Sequence, residues 1–145
     1  MKTHTITQID ILIMEDNIFY NNLIAKTIHN FQQKPEIKNR FNLNVNQYTN
    51  PDECLKKAKE YNNQNIISIA FVDYYLGDGI NGKHLVNLLV ERNKNIKIVL
   101  MSQSEKVIEK TNVPMSESNR FVKILKHEYT PDICCTIIEN YISNL

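Results

Sequence analysis

The sequence predicts an α/β fold: a doubly wound, five-stranded parallel sheet with helices on both faces, in a three-layer α/β/α sandwich. Two observations predict it. Five short strand-like runs alternate with five helical segments along the chain, and no recognisable hairpin turn joins one run to the next. Antiparallel neighbours can be linked by a two-residue turn, whereas parallel neighbours need a crossover, usually a helix. Right-handed crossovers then lead to the strand order 2-1-3-4-5.

Each element has a local reason. Ile9-Asp10-Ile11-Leu12-Ile13-Met14 is a short apolar run that stops at Glu15-Asp16, as a buried strand does. Asn17 is placed to cap a helix in which Tyr20, Leu23, Ile24, Ile28 and Phe31 recur at helical spacing. Pro35 ends that pattern, and Gln33 to Asn42 reads as a polar connection. Leu43 to Tyr48 alternates and predicts the second strand. Pro51 at a first helical position, followed by Asp52 and Glu53, opens a helix running to about Tyr61. Ile66 to Val72 is the most apolar run and predicts a central strand ending at Asp73. Gly77 to Gly82 reads as a turn, and Lys83 to Arg92 as a helix with Leu85, Val86, Leu88 and Leu89 inward. Ile96 to Met101 is a further buried strand, ending at Ser102, with a short helix between Ser104 and Thr111. Phe121 to Leu125 is the fifth strand, ending near Lys126. Thr130-Pro131-Asp132 opens a last helix carrying Ile133, Ile137, Ile138 and Tyr141 on one face.

The 145 residues suit one domain, spanning 1–145 with its core at about 9–143, and show no internal repeat or linker. Seventeen basic residues against sixteen acidic leave a net charge of +1, which offers no general electrostatic reason to bind nucleic acid or an anionic membrane. Cys54, Cys134 and Cys135 are odd in number, the last two adjacent, which fits neither a disulfide framework nor a zinc site. No apolar run approaches the roughly 18–20 residues of a membrane span. Met1 to Asp10 is too polar for a signal peptide, so the expected location is the cytoplasm.

In such sheets, ligands bind beyond the carboxyl ends of the strands, where the strand order reverses. The strands deliver Glu15 and Asp16, Asp73, Ser102 and Lys126 to that rim. Taken singly, each has a plainer explanation: a cap, a turn hydroxyl or a solvated surface charge. Together they put three carboxylates, one hydroxyl and one ammonium at the ends of four strands. Carboxylates that close repel unless a cation joins them, and an oxygen-only set favours a hard ion, Mg²⁺.

Glu15-Asp16-Asn17, Asp73, Ser102 and Lys126, in this order and spacing, resemble the receiver domain of two-component response regulators (CheY-like) over Ile9 to Tyr141. Phe71 to Gly82 looks like that family's phosphoacceptor strand and following loop. The resemblance implies the flavodoxin-like strand order and a phosphoacceptor protein rather than an enzyme. It implies Asp73 as the phosphoacceptor, and Mg²⁺ held by Glu15, Asp16, Asp73 and the backbone carbonyl of Tyr75. Lys126 and Ser102 would face the phosphoryl oxygens. A sensor histidine kinase or phosphotransfer protein would be the donor. The signal would pass through the face formed by the fourth predicted helix, the fifth strand and the last helix, to a downstream output protein or a homodimer partner.

The sequence departs from the family pattern in several places. The Gln33–Asn42 connection reads as an insertion. Lys126-His127 replaces the common Lys-Pro, and Lys123 stands where a switch aromatic is frequent, with Phe121 two residues earlier. Lys123 is the alternative phosphate-facing lysine; Lys126 is preferred because it ends the strand and sits the right distance before Ile133. Gln103 replaces a small residue, and Tyr75 and Ser104 occupy positions that tune dephosphorylation.

Two rival functions follow from the same residues. Gly77, Gly79 and Gly82 satisfy G-x-G-x-x-G between a strand and a helix, the pattern of a dinucleotide-binding enzyme. Against it, the motif follows the third strand, and the next strand ends in Met101-Ser102 where a ribose-binding acid should stand. The glycines fit a turn needing positive φ. The second rival is a receiver-like interaction module that is never phosphorylated. His4, His29, His84 and His127 have no serine elbow or suitably placed cysteine partner, so a hydrolase triad has little support.

Overall fold

A computed structural model describes residues 5–60, 67–76, 81–111 and 120–145. Five strands, β1 (Thr7–Met14), β2 (Phe41–Tyr48), β3 (Ile67–Asp73), β4 (Ile96–Ser102) and β5 (Phe121–Leu125), form one parallel sheet in the order β2-β1-β3-β4-β5. The helices among the described residues are α1 (Ile18–Gln32), α2 (Pro35–Lys38), α3 (Pro51–Glu60), α4 (Gly82–Arg92), α5 (Glu105–Lys110) and α6 (Thr130–Ser143). The fold class and strand order are those the sequence predicts. The direction of winding reverses between β1 and β3, and that break places the strand ends where a site can form.

Strand alternation divides the core into two layers. Ile9, Ile11 and Ile13 of β1, with Ile69 and Phe71 of β3, pack against Ile24, Ile28 and Phe31 of α1 and Cys134, Ile138 and Ile142 of α6. Leu12 and Met14, with Ala70, Val72, Ile98 and Leu100, pack against Cys54 and Ala58 of α3 and Leu85, Val86 and Leu89 of α4. Every residue of β4 is buried, as a strand with helices on both faces requires. Each fully buried aliphatic or aromatic side chain contributes about 1.5–3 kcal/mol of transfer free energy.

The edge of the sheet is different. On the outer face of β2, Gln8 Oε1 accepts hydrogen bonds from Asn42 Nδ2 at 2.7 Å and Asn44 Nδ2 at 3.3 Å, and Asn44 Nδ2 also donates to Asp10 Oδ1 at 3.4 Å. These are cross-strand neighbours in the register Gln8↔Asn42 and Asp10↔Asn44, so amide side chains run as a polar ladder beside the backbone ladder.

Several element details differ from the sequence reading. The Gln33–Asn42 connection contains α2, a single turn opened by Pro35 and held by the burial of Ile37, and β2 starts two residues early at the buried Phe41. Leu23 is 48% exposed, since the inner stripe of α1 runs through Asn21, Ile24 and Ile28 instead. Leu88 is half-buried. The inner face of α6 centres on Cys134, Ile138 and Ile142, with Ile133, Ile137 and Tyr141 half-buried at its flank. α5 buries none of its side chains, although Ser104 caps it by accepting from the Val107 amide. Tyr61, Ile66, Gly77 and Gly79 lie outside the described residues. No helix among the described residues is long and apolar enough to cross a membrane.

Gly82 opens α4 against the end of β3, its amide donating to the Tyr74 carbonyl at 2.6 Å. A Cβ there would lie 2.5 Å from the Asp73 carbonyl oxygen and 2.9 Å from Tyr74 Cα. The glycine is therefore required by close backbone approach and not by positive φ. Gly82→Ala is expected to destabilise the fold by about 1–3 kcal/mol, because backbone must move to admit the methyl group. A lowered urea midpoint checks this, and an unchanged midpoint contradicts it.

Candidate functional site

The backbone ladders carry on past the strand ends. The Glu15 amide donates to the Tyr48 carbonyl at 3.1 Å, Tyr74 to Met101 at 2.9 Å and Lys126 to Ser102 at 2.7 Å. Glu15, Asp73, Ser102 and Lys126 are therefore held by sheet-like bonding at one rim. Carboxylate oxygens of Glu15, Asp16 and Asp73 all lie within 4.8 Å of one another. Lys126 Nζ sits 2.6 Å from Glu15 Oε1 and 3.6 Å from Asp73 Oδ2. The three acids and Lys126 line an open pocket of about 520 Å³, together with Tyr20 and Gln103. Ser102 is fully buried just behind, its hydroxyl accepting from the Ser104 amide at 3.1 Å.

The two candidate lysines are separated by this geometry. Residues three apart on a strand point to opposite faces. Lys123 Nζ donates to the Thr111 carbonyl at 3.1 Å, tying β5 to the end of α5, while Lys126 reaches the carboxylates.

The carboxylates differ in setting. Glu15 is fully buried, Asp73 is 6% exposed and Asp16 is exposed. Burial pushes the Glu15 carboxyl from 4.5 up to about 8; the bond from Lys126 pulls it down, and Asp73 pushes it further up. Burial also raises Asp73, against the lowering effects of its Glu15 and Lys126 contacts. One ammonium does not neutralise three acids. Glu15 Oε2 is buried and no donor among the described residues reaches it. An oxygen-only donor set with an unsatisfied buried carboxylate oxygen fits a hard divalent cation such as Mg²⁺.

No family model matches the chain, and no curated protein matches it. Solved structures do. The response regulator receiver domain protein of Clostridium thermocellum superposes with a TM-score of 0.69 at 15% identity, covering 93% of this chain and 94% of that one. The response regulator TrrA of Thermotoga maritima, solved in complex with Mg²⁺-BeF, gives 0.63 at 14% identity over 92% and 98%. A CheY-like receiver domain of Methanospirillum hungatei gives 0.63 at 10% identity over 94% and 98%. The fold is that of a response-regulator receiver domain.

Within this receiver fold, the sequence reading missed Asn21 and did not reveal what Tyr20 and His127 do at the rim. Asn21 is fully buried; its Nδ2 donates to the carbonyls of Glu15 at 3.0 Å and Tyr48 at 2.9 Å, clamping the ends of β1 and β2. Its signal was its place on the inner stripe of α1, three residues before Ile24. Tyr20, assigned simply to the apolar stripe, stands at the pocket wall with its ring under Lys126. His127 uses its backbone N–H to bond Thr130 Oγ1 at 2.8 Å, a bond that proline, which lacks the donor, cannot make. Phe121 is buried in the core layer beside α4, away from the rim. Tyr75 is exposed and lines the pocket. The free thiols Cys54 and Cys134 are packing residues, with burial pushing Cys54 up to about 12.

A carboxyl whose value rises on folding stabilises the fold below its unfolded value and loses that contribution as pH rises through the folded one. Without divalent cations, Glu15 is therefore expected to make stability fall between about pH 4.5 and pH 8. Urea midpoints measured across that window check it. Glu15→Gln should flatten the slope; an equally steep slope in that variant rules Glu15 out as its source.

Proposed function

We propose that the chain works as a receiver domain that takes a phosphoryl group on Asp73. The donor is a sensor histidine kinase, a phosphotransfer protein or a small phosphodonor. The observation that carries this reading is convergence: carboxylates from the ends of β1 and β3 and an ammonium from the end of β5 meet at one rim.

In this reading an Asp73 oxygen forms the new bond to phosphorus while the donor's bond to the same phosphorus breaks. The chain's work is positioning and charge neutralisation rather than proton chemistry. Lys126 turns from Glu15 toward an equatorial phosphoryl oxygen, and the Ser102 hydroxyl, which accepts from Ser104 but keeps its own hydrogen, donates to another. Asp16 and Asp73 would hold Mg²⁺, with Glu15 and the Tyr75 carbonyl completing the protein's share of ligands. Bound there, the ion supplies neutralisation of the phosphoryl oxygens and of the crowded carboxylates.

The signal leaves through the loop after β4. Ser102 is bonded to the Ser104 amide, and Ser104 caps α5, so drawing Ser102 toward the phosphoryl group moves the start of α5. That helix buries no side chain and is cheap to shift. The face formed by α5, β5 and α6 then presents a changed surface to a downstream output protein or a second copy. We read the protein as cytoplasmic and as a phosphoacceptor rather than an enzyme with a separate substrate.

Incubation with Mg²⁺ and acetyl phosphate, followed by intact mass, is expected to show one added phosphoryl group. The adduct should be missing from Asp73→Asn and from samples with the metal chelated. No adduct with any donor would favour an interaction module that is never phosphorylated, and tight NAD binding would revive the dinucleotide reading.

A further inference from the structure

We infer that Tyr20 is a positioning residue for Lys126: its ring seats the lysine ammonium at the rim, between the two strand-end carboxylates. The inference rests on the receiver reading above, in which Lys126 serves the phosphoryl group on Asp73.

Among the described residues, the ammonium has three neighbours, from β1's end, β3 and α1. Lys126 Nζ lies 2.6 Å from Glu15 Oε1, 3.6 Å from Asp73 Oδ2 and 4.5 Å from the centroid of the Tyr20 ring. The ring is held at its tip, where the hydroxyl donates to the His127 carbonyl at 3.2 Å, and its backbone is held where the Tyr20 amide donates to Asn17 Oδ1 at 3.0 Å. Through the first bond, Tyr20 also holds the backbone directly after Lys126, so one side chain fixes both the lysine's root and its tip.

This seat matters because the other two neighbours compete for the lysine. Glu15 is the closer, and an ammonium drawn wholly onto Glu15 is turned away from Asp73. An aromatic face attracts the cation without neutralising it and without offering a hydrogen-bond acceptor that must be broken. The lysine side chain, only 11% exposed, therefore stays at the rim and retains its charge for an incoming anion. An aliphatic side chain of similar size would fill the space and leave the ammonium to water or to Glu15.

Tyr20→Leu is expected to slow acetyl phosphate labelling by about three- to tenfold, the range for loss of a partly exposed cation–π contact. Tyr20→Phe keeps the ring under the ammonium and loses only the bond to the His127 carbonyl, so its labelling should fall clearly less than that of Tyr20→Leu. A separate reading needs no activity: in wild type and Tyr20→Phe, the ε-methylene protons of Lys126 should be shifted upfield by the ring, and in Tyr20→Leu they should return to ordinary lysine values. Unshifted protons in wild type, or equal labelling rates in Tyr20→Leu and wild type, overturn the inference. A wild-type chain that is never labelled overturns the receiver reading instead, whatever the lysine resonance shows.

Discussion

One ammonium shared by two buried carboxylates is the interaction on which the rest of the rim depends. Glu15 and Asp73 end neighbouring strands, and parallel pairing puts their side chains within reach of each other whether or not that is electrostatically favourable. Taking a single carboxylate out of water costs several kcal/mol, and a second nearby raises that cost. Lys126 offsets part of it from the end of β5, two strands away from β3. A proton on Glu15 or a cation would offset the remainder. The need for one or the other is thus a consequence of the sheet topology combined with three acidic residues.

Behind this charged layer lies a polar layer that keeps it in register. Asn21 reaches from α1 to the carbonyls of Glu15 and Tyr48, and its own Oδ1 accepts from Gln47. The loop after β5 is closed by reciprocal bonds between His127 and Thr130, the His127 amide donating to the Thr130 hydroxyl and the Thr130 amide to the His127 carbonyl. Both devices act on backbone atoms beside the carboxylates and the lysine. They hold the backbone that carries the rim side chains and leave those side chains' remaining hydrogen-bonding positions open.

Much of this was legible in the sequence, for physical reasons. A strand with helices on both faces must be apolar along its length, so β1, β3 and β4 announced themselves, and the first polar residue after each run marked the rim. What stayed hidden had weaker signals. α2 is a single turn whose existence depends on burying Ile37, a tertiary contact that local propensity does not report. Asn21 and Tyr20 lie on a stripe whose period argues only for burial, and period cannot tell a packed side chain from one that holds a carbonyl or a cation. Gly82 was visible as a glycine, but its reason, a helix start pressed against the Asp73 carbonyl, exists only in three dimensions.

The amide ladder on β2 has a bearing on life at high concentration. An outermost strand normally tempts a neighbouring molecule to extend the sheet, above all when its free flank is greasy. Here the solvent side carries Asn42 and Asn44, already occupied with Gln8 and Asp10. Those amides leave the strand's open backbone edge uncovered, but a stranger laid across their face would have to unpick them and would gain no oily contact in return.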